Sequence, residues 1–261
     1  MPNLARIHIH PFKSLNPQRV DETVLLPSGA LEHDRRFALA DAHGEVINGK
    51  RTPAVHLLRS NFDPTTNRLT LRVEGTAEEH TFDVEVPRRE LVDWLSDYFD
   101  TRVTILENAE GGFPDDTDSP GPTVIGSATL AEVAAWFPGL TTDTVRDRFR
   151  VNLEIDGVEA FWEDRLVAEG LGAVRFQIGE AELLGTNPCQ RCVVPSRDPH
   201  SGKPIRQFAK EFAQNRRASL PDWAPAGRFD HYYRLAVNTR RPDARRCALR
   251  VGDEVKILGI A

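Results

Sequence analysis

The sequence is poor in cysteine, methionine and tyrosine, with 3, 1 and 3 of them in 261 residues. Three thiols, an odd number, do not suit a disulfide framework of the secreted kind. They are also too few for an ordinary iron–sulfur cluster, which takes four thiolates. Positive charge is scarce as well. The 33 Lys and Arg stand against 39 Asp and Glu, a net charge of −6, which leaves no basic excess for sequence-independent binding to nucleic acid. No apolar run approaches the ~20 residues of a membrane span. The start, MPNLARIHIH, lacks the long apolar core and small-residue cleavage site of a signal peptide. These absences predict a protein of the cytoplasm, with reduced thiols, that meets neither nucleic acid nor membrane.

What is present is alternation. ARIHIHPF places Ile7 and Ile9 on one face of a strand and His8 and His10 on the other. VDETVLLPSG, the two arms of RRFALADAHGEVI, the hairpin HLLRSNFDPTTNRLTLRV turning at Asp63 to Asn67, and TFDVEV continue the pattern. One helix interrupts: in RELVDWLSDYFD, Leu91, Trp94, Leu95, Tyr98 and Phe99 make a single apolar stripe. ENAEGGFPDDTDSPGPT, rich in Gly, Pro and Asp, then reads as a long loop or linker. A boundary near residue 118 follows, with units 1–118 and 119–261. In the second unit, TVIGSATLAEVAAWFPG gives a short strand and a helix with Ser127 at its cap. Strands are expected at FRVNLEI, VRFQIGEAELLG, QRCVVPS, YYRLAVNT and EVKILG, and a helix at KPIRQFAKEFAQNRR. Short, closely spaced strands of this kind predict a mostly β, α+β protein built on antiparallel sheets or barrels.

Two of the three cysteines stand together in PCQRCVVPSRDPHSG, residues 188–202. A zinc site would need two ligands beyond Cys189 and Cys192, from Cys247, His8, His10 or His231. A thioredoxin-like pair opens a helix, whereas VVPSRDP is β-branched and then broken by Pro195. A c-type haem needs His where Val193 stands. Two further readings remain open: one thiolate reaches a soft metal that another molecule already mostly coordinates, or both cysteines are small buried hydrophobes.

The same segment, with Cys189, Arg191, Cys192, Asp198, Pro199, Ser201 and Gly202, resembles the cysteine segment of MOSC domains. IHPFKSLNPQRV, with Pro11, Lys13 and Ser14, resembles the opening of the β-barrel domain that precedes MOSC in many members. LEHDRRFALAD, with Asp34 and Arg35, resembles that domain's Asp-Arg segment. IGSATLAEV is similar to the family's Ser-x-[ST]-Leu helix entry, RFRVNLEID to its Arg-x-Asn strand at Arg150 and Asn152, and YYRLAVNTR with LRVGDEVKIL to its ending. The matches run in order over nearly the whole chain, in an arrangement similar to the mitochondrial amidoxime-reducing components and their bacterial relatives.

The resemblance implies an N-terminal β-barrel-like domain, then a MOSC β-barrel domain with a few helices, and a mononuclear molybdenum cofactor between them. By that match Cys192 is the thiolate ligand to molybdenum and Cys189 is not. Lys13, Ser14, Arg35, Ser127, Arg150 and Asn152 are implied to hold the pterin and its phosphate, which needs cations and N–H donors. Asp198 is implied to orient the cysteine loop or to receive a proton. The implied reaction reduces small N-hydroxylated compounds, with electrons from a separate flavin or iron–sulfur protein. The alternative is a carrier of the cofactor, or of sulfur as a cysteine persulfide.

Overall fold

The computed structural model describes residues 1–170 and 172–261. The first half holds strands β1 (Asn3–Ile9), β2 (Gln18–Val20), β3 (Glu22–Leu25), β4 (Phe37–Ala40), β5 (Leu58–Asp63), β6 (Arg68–Val73) and β7 (Glu79–Asp83), helix α1 (Arg89–Phe99) and strand β8 (Thr104–Glu107). The second half holds β9 (Val124–Gly126), α2 (Ser127–Ala135), α3 (Thr142–Phe149), β10 (Leu153–Asp156), β11 (Val174–Ile178), β12 (Ala181–Gln190), α4 (Phe208–Ala218), β13 (Arg234–Arg240), β14 (Cys247–Arg250) and β15 (Val255–Ile260). The protein is mostly β, as the alternation predicts.

The largest sheet has the order β15-β11-β12-β13-β9-β10-β1-β2. It draws on both halves of the sequence: β1 pairs antiparallel with β10, so Ile7 lies opposite Leu153 and Leu4 opposite Ile155. Among the described residues the strip does not close through its end strands. Instead the start of β1 meets the turn before β15, where Leu4 N donates to Asp253 O at 2.8 Å and Val255 N to Pro2 O at 3.0 Å. Likewise β14 pairs with β3 across the halves. Smaller sheets, β4–β8 and β5–β6–β7, complete the first half.

Apolar side chains gather in three cores. One lies under the large sheet and joins Leu4, Ile7 and Ile9 to Val124, Leu153, Phe176 and Val237. A second, confined to the first half, stacks Phe12 on Phe37 and receives Leu91 and Leu95 from α1. The third lies among α2, α3 and α4 around Leu130, Phe149, Phe208 and Phe212. Packing is tight where β12 passes the turn Trp162–Leu166: a Cβ on Gly185 would lie 2.0 Å from Leu166 O, which only glycine tolerates.

The expected hairpin at 58–73 forms with Asp63 opposite Arg68. Three local readings change. FRVNLEI is not a continuous strand: Phe149 ends α3, Arg150 caps it in the left-handed region, and β10 begins at Leu153. QRCVVPS leaves the ladder after Gln190, and Val194–Ser196 forms a 3-10 turn started by Pro195. The helix expected from residue 203 begins only at Phe208, because Gln207 stands at a φ of 60°. No helix among the described residues is long and apolar enough to cross a membrane.

Candidate functional site

Leu15, Val55 and Leu58 of the second core and Phe149 of the third line a cavity of about 760 Å³. Lys13 and Ser14 reach it from the segment after β1, and Arg35 from the turn before β4. Arg150 and Asn152 enter between α3 and β10, and Cys189 and Cys192 at and just beyond the end of β12. Six of the residues singled out in the sequence, Lys13, Ser14, Arg35, Arg150, Asn152 and Cys192, therefore line one space.

The β1–β10 pairing explains how the two halves register there. Asn152 Nδ2 donates to His8 O at 3.0 Å, and His8 N donates to Asn152 O at 2.7 Å. Asn152 is 1% exposed. Its Oδ1 accepts from Thr123 N and Thr123 Oγ1, each at 3.2 Å, and lies 3.5 Å from Arg35 Nη1. Most of its hydrogen-bonding capacity is thus spent on the protein, and it acts as a bracket between the walls. Beside it Asp34 accepts from His10 N at 2.7 Å and faces His10 Nδ1 at 3.3 Å, while also pairing with Arg35. Burial pushes the Asp34 carboxyl up, but Arg35 and the His10 hydrogen bond outweigh it and hold the pKa at about 2. Burial, then Arg150, depress His10 to about 3, so its ring is neutral.

Three of the lining residues stand in the left-handed region: Ser14 at a φ of 74°, Arg35 at 49° and Arg150 at 52°. That conformation is unfavourable for a side-chain-bearing residue by about 1 kcal/mol or more, and such strain gathers where function holds a residue in place. Arg150 has no ion pair or side-chain hydrogen bond among the described residues. Burial, and then the like charge of Arg35, bring its pKa down to about 10. In a chain with a net charge of −6, the cavity is lined by nine Lys and Arg against five Asp. A half-buried cation with no ion pair among the described residues and a local basic excess are the electrostatics of an anion seat.

The cysteine loop is fixed by arginines. Arg191 donates to Phe149 O and, through Nε, to Leu235 O, each at 3.0 Å, which staples the loop to β13 and to the end of α3. Arg148, 4% exposed, donates to Pro195 O at 3.1 Å and to Arg197 O at 2.5 Å. Cys192 is half-buried and its Sγ accepts from Val194 N at 3.4 Å. Cys189 is half-buried too, and all three cysteines are free. Among the described residues no group of three or more His, Cys, Asp or Glu is placed to hold a metal ion, so the fold does not assemble a zinc site of four protein ligands. A thiol open to the cavity, faced by arginines and a lysine, fits instead a metal that arrives with an anionic organic ligand.

Two of the expected site residues stand apart from the lining. Asp198 closes its own turn, accepting from Ser201 N and Ser201 Oγ at 2.8 Å and from His200 N at 3.1 Å. Burial pushes its pKa up, but these bonds lower it on balance. It orients the loop that carries Pro199 and His200 into the cavity, and a carboxylate held ionised is a poor proton acceptor. Ser127 is the first residue of α2 rather than its cap; Gly126 is the cap. The free N–H there is met by Glu163, whose Oε2 accepts from Gly126 N at 3.1 Å and Thr129 Oγ1 at 2.8 Å.

The structure also adds residues that the sequence reading passed over. Arg148, Arg197 and His56 line the cavity, as do Asp115, Asp116 and Asp118 of the Gly- and Pro-rich loop. Arg148 had a signal, since it stands two positions before Arg150 at the end of α3. The acidic loop had none that set it apart from a linker.

Comparison with known proteins agrees in kind. The model of the MOSC N-terminal beta barrel domain matches residues 1–140, and that of the MOSC domain residues 123–256. The chain is similar to a protein named molybdenum cofactor sulfurase 2 from Culex quinquefasciatus, 24% identical over 258 residues, covering 81% of this chain and 33% of that protein. It is similar to a molybdenum cofactor sulfurase from Solanum lycopersicum, 23% identical over 258 residues, covering 80% of this chain and 30% of that protein. Molybdenum cofactor sulfurase 1 of Aedes aegypti is 31% identical over 77 residues, covering 30% of this chain and 10% of that protein. The chain thus spans about a third of the length of the first two relatives.

Proposed function

Because this chain belongs to the MOSC family, with a MOSC N-terminal beta barrel domain ahead of a MOSC domain, we propose that its basic cavity holds the molybdenum cofactor and that the protein reduces N-hydroxylated compounds there. The observation that carries this reading is the convergence of Cys192 with cations from both halves of the chain on one cavity. Units 1–118 and 119–261 each supply a wall. Cys192 would hold the metal as a thiolate. Arg150 and Arg35, with Lys13, would grip the phosphate by charge-assisted bonds, and Ser14 would add a hydroxyl. Asn152 and Asp34 hold Arg35 in place beside the entry to β10, where Arg150 stands. When bound, the cofactor supplies two-electron redox chemistry at molybdenum, which no side chain here provides. The overall change consumes an N-hydroxylated substrate, two electrons and two protons, and releases the amine or amidine and water. The electrons would come from a flavin or iron–sulfur protein, these 261 residues having only three cysteines, too few for a four-thiolate cluster of their own.

A second reading is favoured by the names of the relatives: Cys192 or Cys189 carries sulfur as a persulfide, or the protein hands the cofactor on. One preparation separates the two. The full chain, made in a host that synthesises the cofactor, is analysed for molybdenum and pterin, for intact mass, and for amidoxime reduction with a chemically reduced electron donor. Stoichiometric metal with turnover supports the reductase. A mass gain of one sulfur on a cysteine, without turnover, supports the carrier.

A further inference from the structure

The Asp-rich loop between β8 and β9 is not a plain tether. Its residues Asp115, Asp116 and Asp118 line the cavity, and it is anchored on both sides. Phe113 N donates to Arg35 O at 2.9 Å, and Asn238 Nδ2 donates to Asp116 Oδ2 at 2.9 Å. Gly112 makes the first anchor possible: at a φ of 61°, a Cβ there would lie 2.5 Å from Asp34 O. Between the anchors stands Asp115. Its Oδ1 is 2.9 Å from Lys13 Nζ, which also donates to Phe113 O at 2.9 Å. The Asp115 side chain is 69% exposed, against 18% for Lys13, so the pair lies at the edge of the anion seat and not deep within it. The surrounding protein pushes the carboxyl up, but Lys13, then Arg35 and Lys50, lower it on balance. Arg150 feels the same carboxylate. A second protein carboxylate, besides Asp34, therefore sits among the cations assigned above to the cofactor's phosphate.

We propose that Asp115 is a specificity determinant of this seat: it fills the place of one negative charge, so that only a dianion, such as a phosphate monoester, gains by replacing it at Lys13. A monoanion would exchange one single charge for another and gain nothing, whereas a dianion brings a second charge to Arg35 and Arg150. Without Asp115, Lys13 would lose its carboxylate partner, Arg35 keeping only Asp34, and the seat would take small monoanions more readily. This inference rests on the reading of the cavity as a phosphate seat.

The test uses the full chain purified free of pterin, at low ionic strength and about pH 8, where inorganic phosphate is mostly dianionic. Binding of inorganic phosphate and of nitrate is measured by calorimetry for the native chain, Asp115→Asn and Asp118→Asn. The native chain is expected to prefer phosphate. Asp115→Asn is expected to bind nitrate roughly tenfold more tightly, with a smaller gain for phosphate, so that the preference narrows. Asp118→Asn, which removes the same charge from the same loop at a residue not paired with Lys13, is expected to leave the preference unchanged. An unaltered preference in Asp115→Asn overturns the proposal. So does weaker binding of both anions, which would make Asp115 a support for Lys13, or an equal effect of Asp118→Asn, which would reduce the matter to net charge. If the native chain binds no phosphate at all, the phosphate seat itself is wrong and both readings fall.

Discussion

Arg35 Nη1 lies 3.5 Å from Asn152 Oδ1, which brings a turn from the start of the chain and the entry to β10 to one end of the cavity. The contact exists because β1 is a strand of the second half's sheet: His8 and Asn152 exchange hydrogen bonds, and Asp34, bound to His10, carries Arg35 with it. The site is thus a product of sheet register, and its chemistry can be probed one group at a time.

Arg150→Gln should loosen the anion seat. It removes a charge-assisted contact worth about 1.5–3 kcal/mol to a bound phosphate, so cofactor retained through gel filtration should fall at least tenfold. The fold should not suffer. Arg150 makes no ion pair among the described residues, and burial and the charge of Arg35 outweigh the pull of Asp34, Asp115 and Asp147, so the melting temperature of cofactor-free protein should hold or rise. Full retention would remove Arg150 from the phosphate.

Cys192→Ala should abolish amidoxime reduction and molybdenum content while the far-ultraviolet dichroism stays native. Cys189→Ala should be milder in both. Each thiol is only half-buried, so loss of the sulfur should change stability by less than about 1 kcal/mol. The opposite order of effects would move the ligand to Cys189.

Glu163 makes stability depend on pH. The residue is 1% exposed, and burial, with Asp164 adjoining, raises its pKa from about 4.5 to about 7. Folding therefore takes up a proton between those values. Its contribution is complete below about 4.5 and is lost as pH rises through about 7. Glu163→Gln keeps an acceptor for Gly126 N and Thr129 Oγ1 but cannot ionise. From about pH 5 to about pH 8 the native urea midpoint should fall relative to that of the variant. Parallel curves would show that Glu163 does not titrate in this range.

Gly185→Ala should destabilise by on the order of 3 kcal/mol, because the new methyl would lie 2.0 Å from Leu166 O. Equilibrium denaturation measures it directly. A loss under about 0.5 kcal/mol, the range of a surface change, would mean that the turn Trp162–Leu166 yields easily.

Much of this was legible in the residues. The stripe in RELVDWLSDYFD became α1, Arg89–Phe99, with Leu91 and Leu95 in the core, because a spacing of three and four fixes a helix face whatever surrounds it. The hairpin at Asp63 and Asn67 was equally local. Helix α3 was not. TTDTVRDRF is short and charged, and its sign was a capping box at Thr141 and Thr144 with Thr in place of the usual Glu or Gln. Among the site residues, Lys13, Arg35, Arg150 and Cys192 were found through the family resemblance, since no spacing rule links them. Asp198 and Ser127 came from the same source. Their places were set by contacts that sequence does not display: Asp198 by its turn with Ser201, Ser127 by Glu163 arriving from another loop. Asp115 was hidden because a linker and a wall have the same composition until the anchors at Phe113 and Asp116 are seen.

The crossing of β1 into the sheet of the second half has a mechanical consequence. The cavity's two sides cannot swing apart like jaws, since parting them would unzip β1 from β10 and β3 from β14. Traffic into the basic chamber must pass between loops and not between parting walls, and those loops are themselves held, the acidic span through Phe113 and Asp116 and the cysteine turn through Arg191 and Arg148.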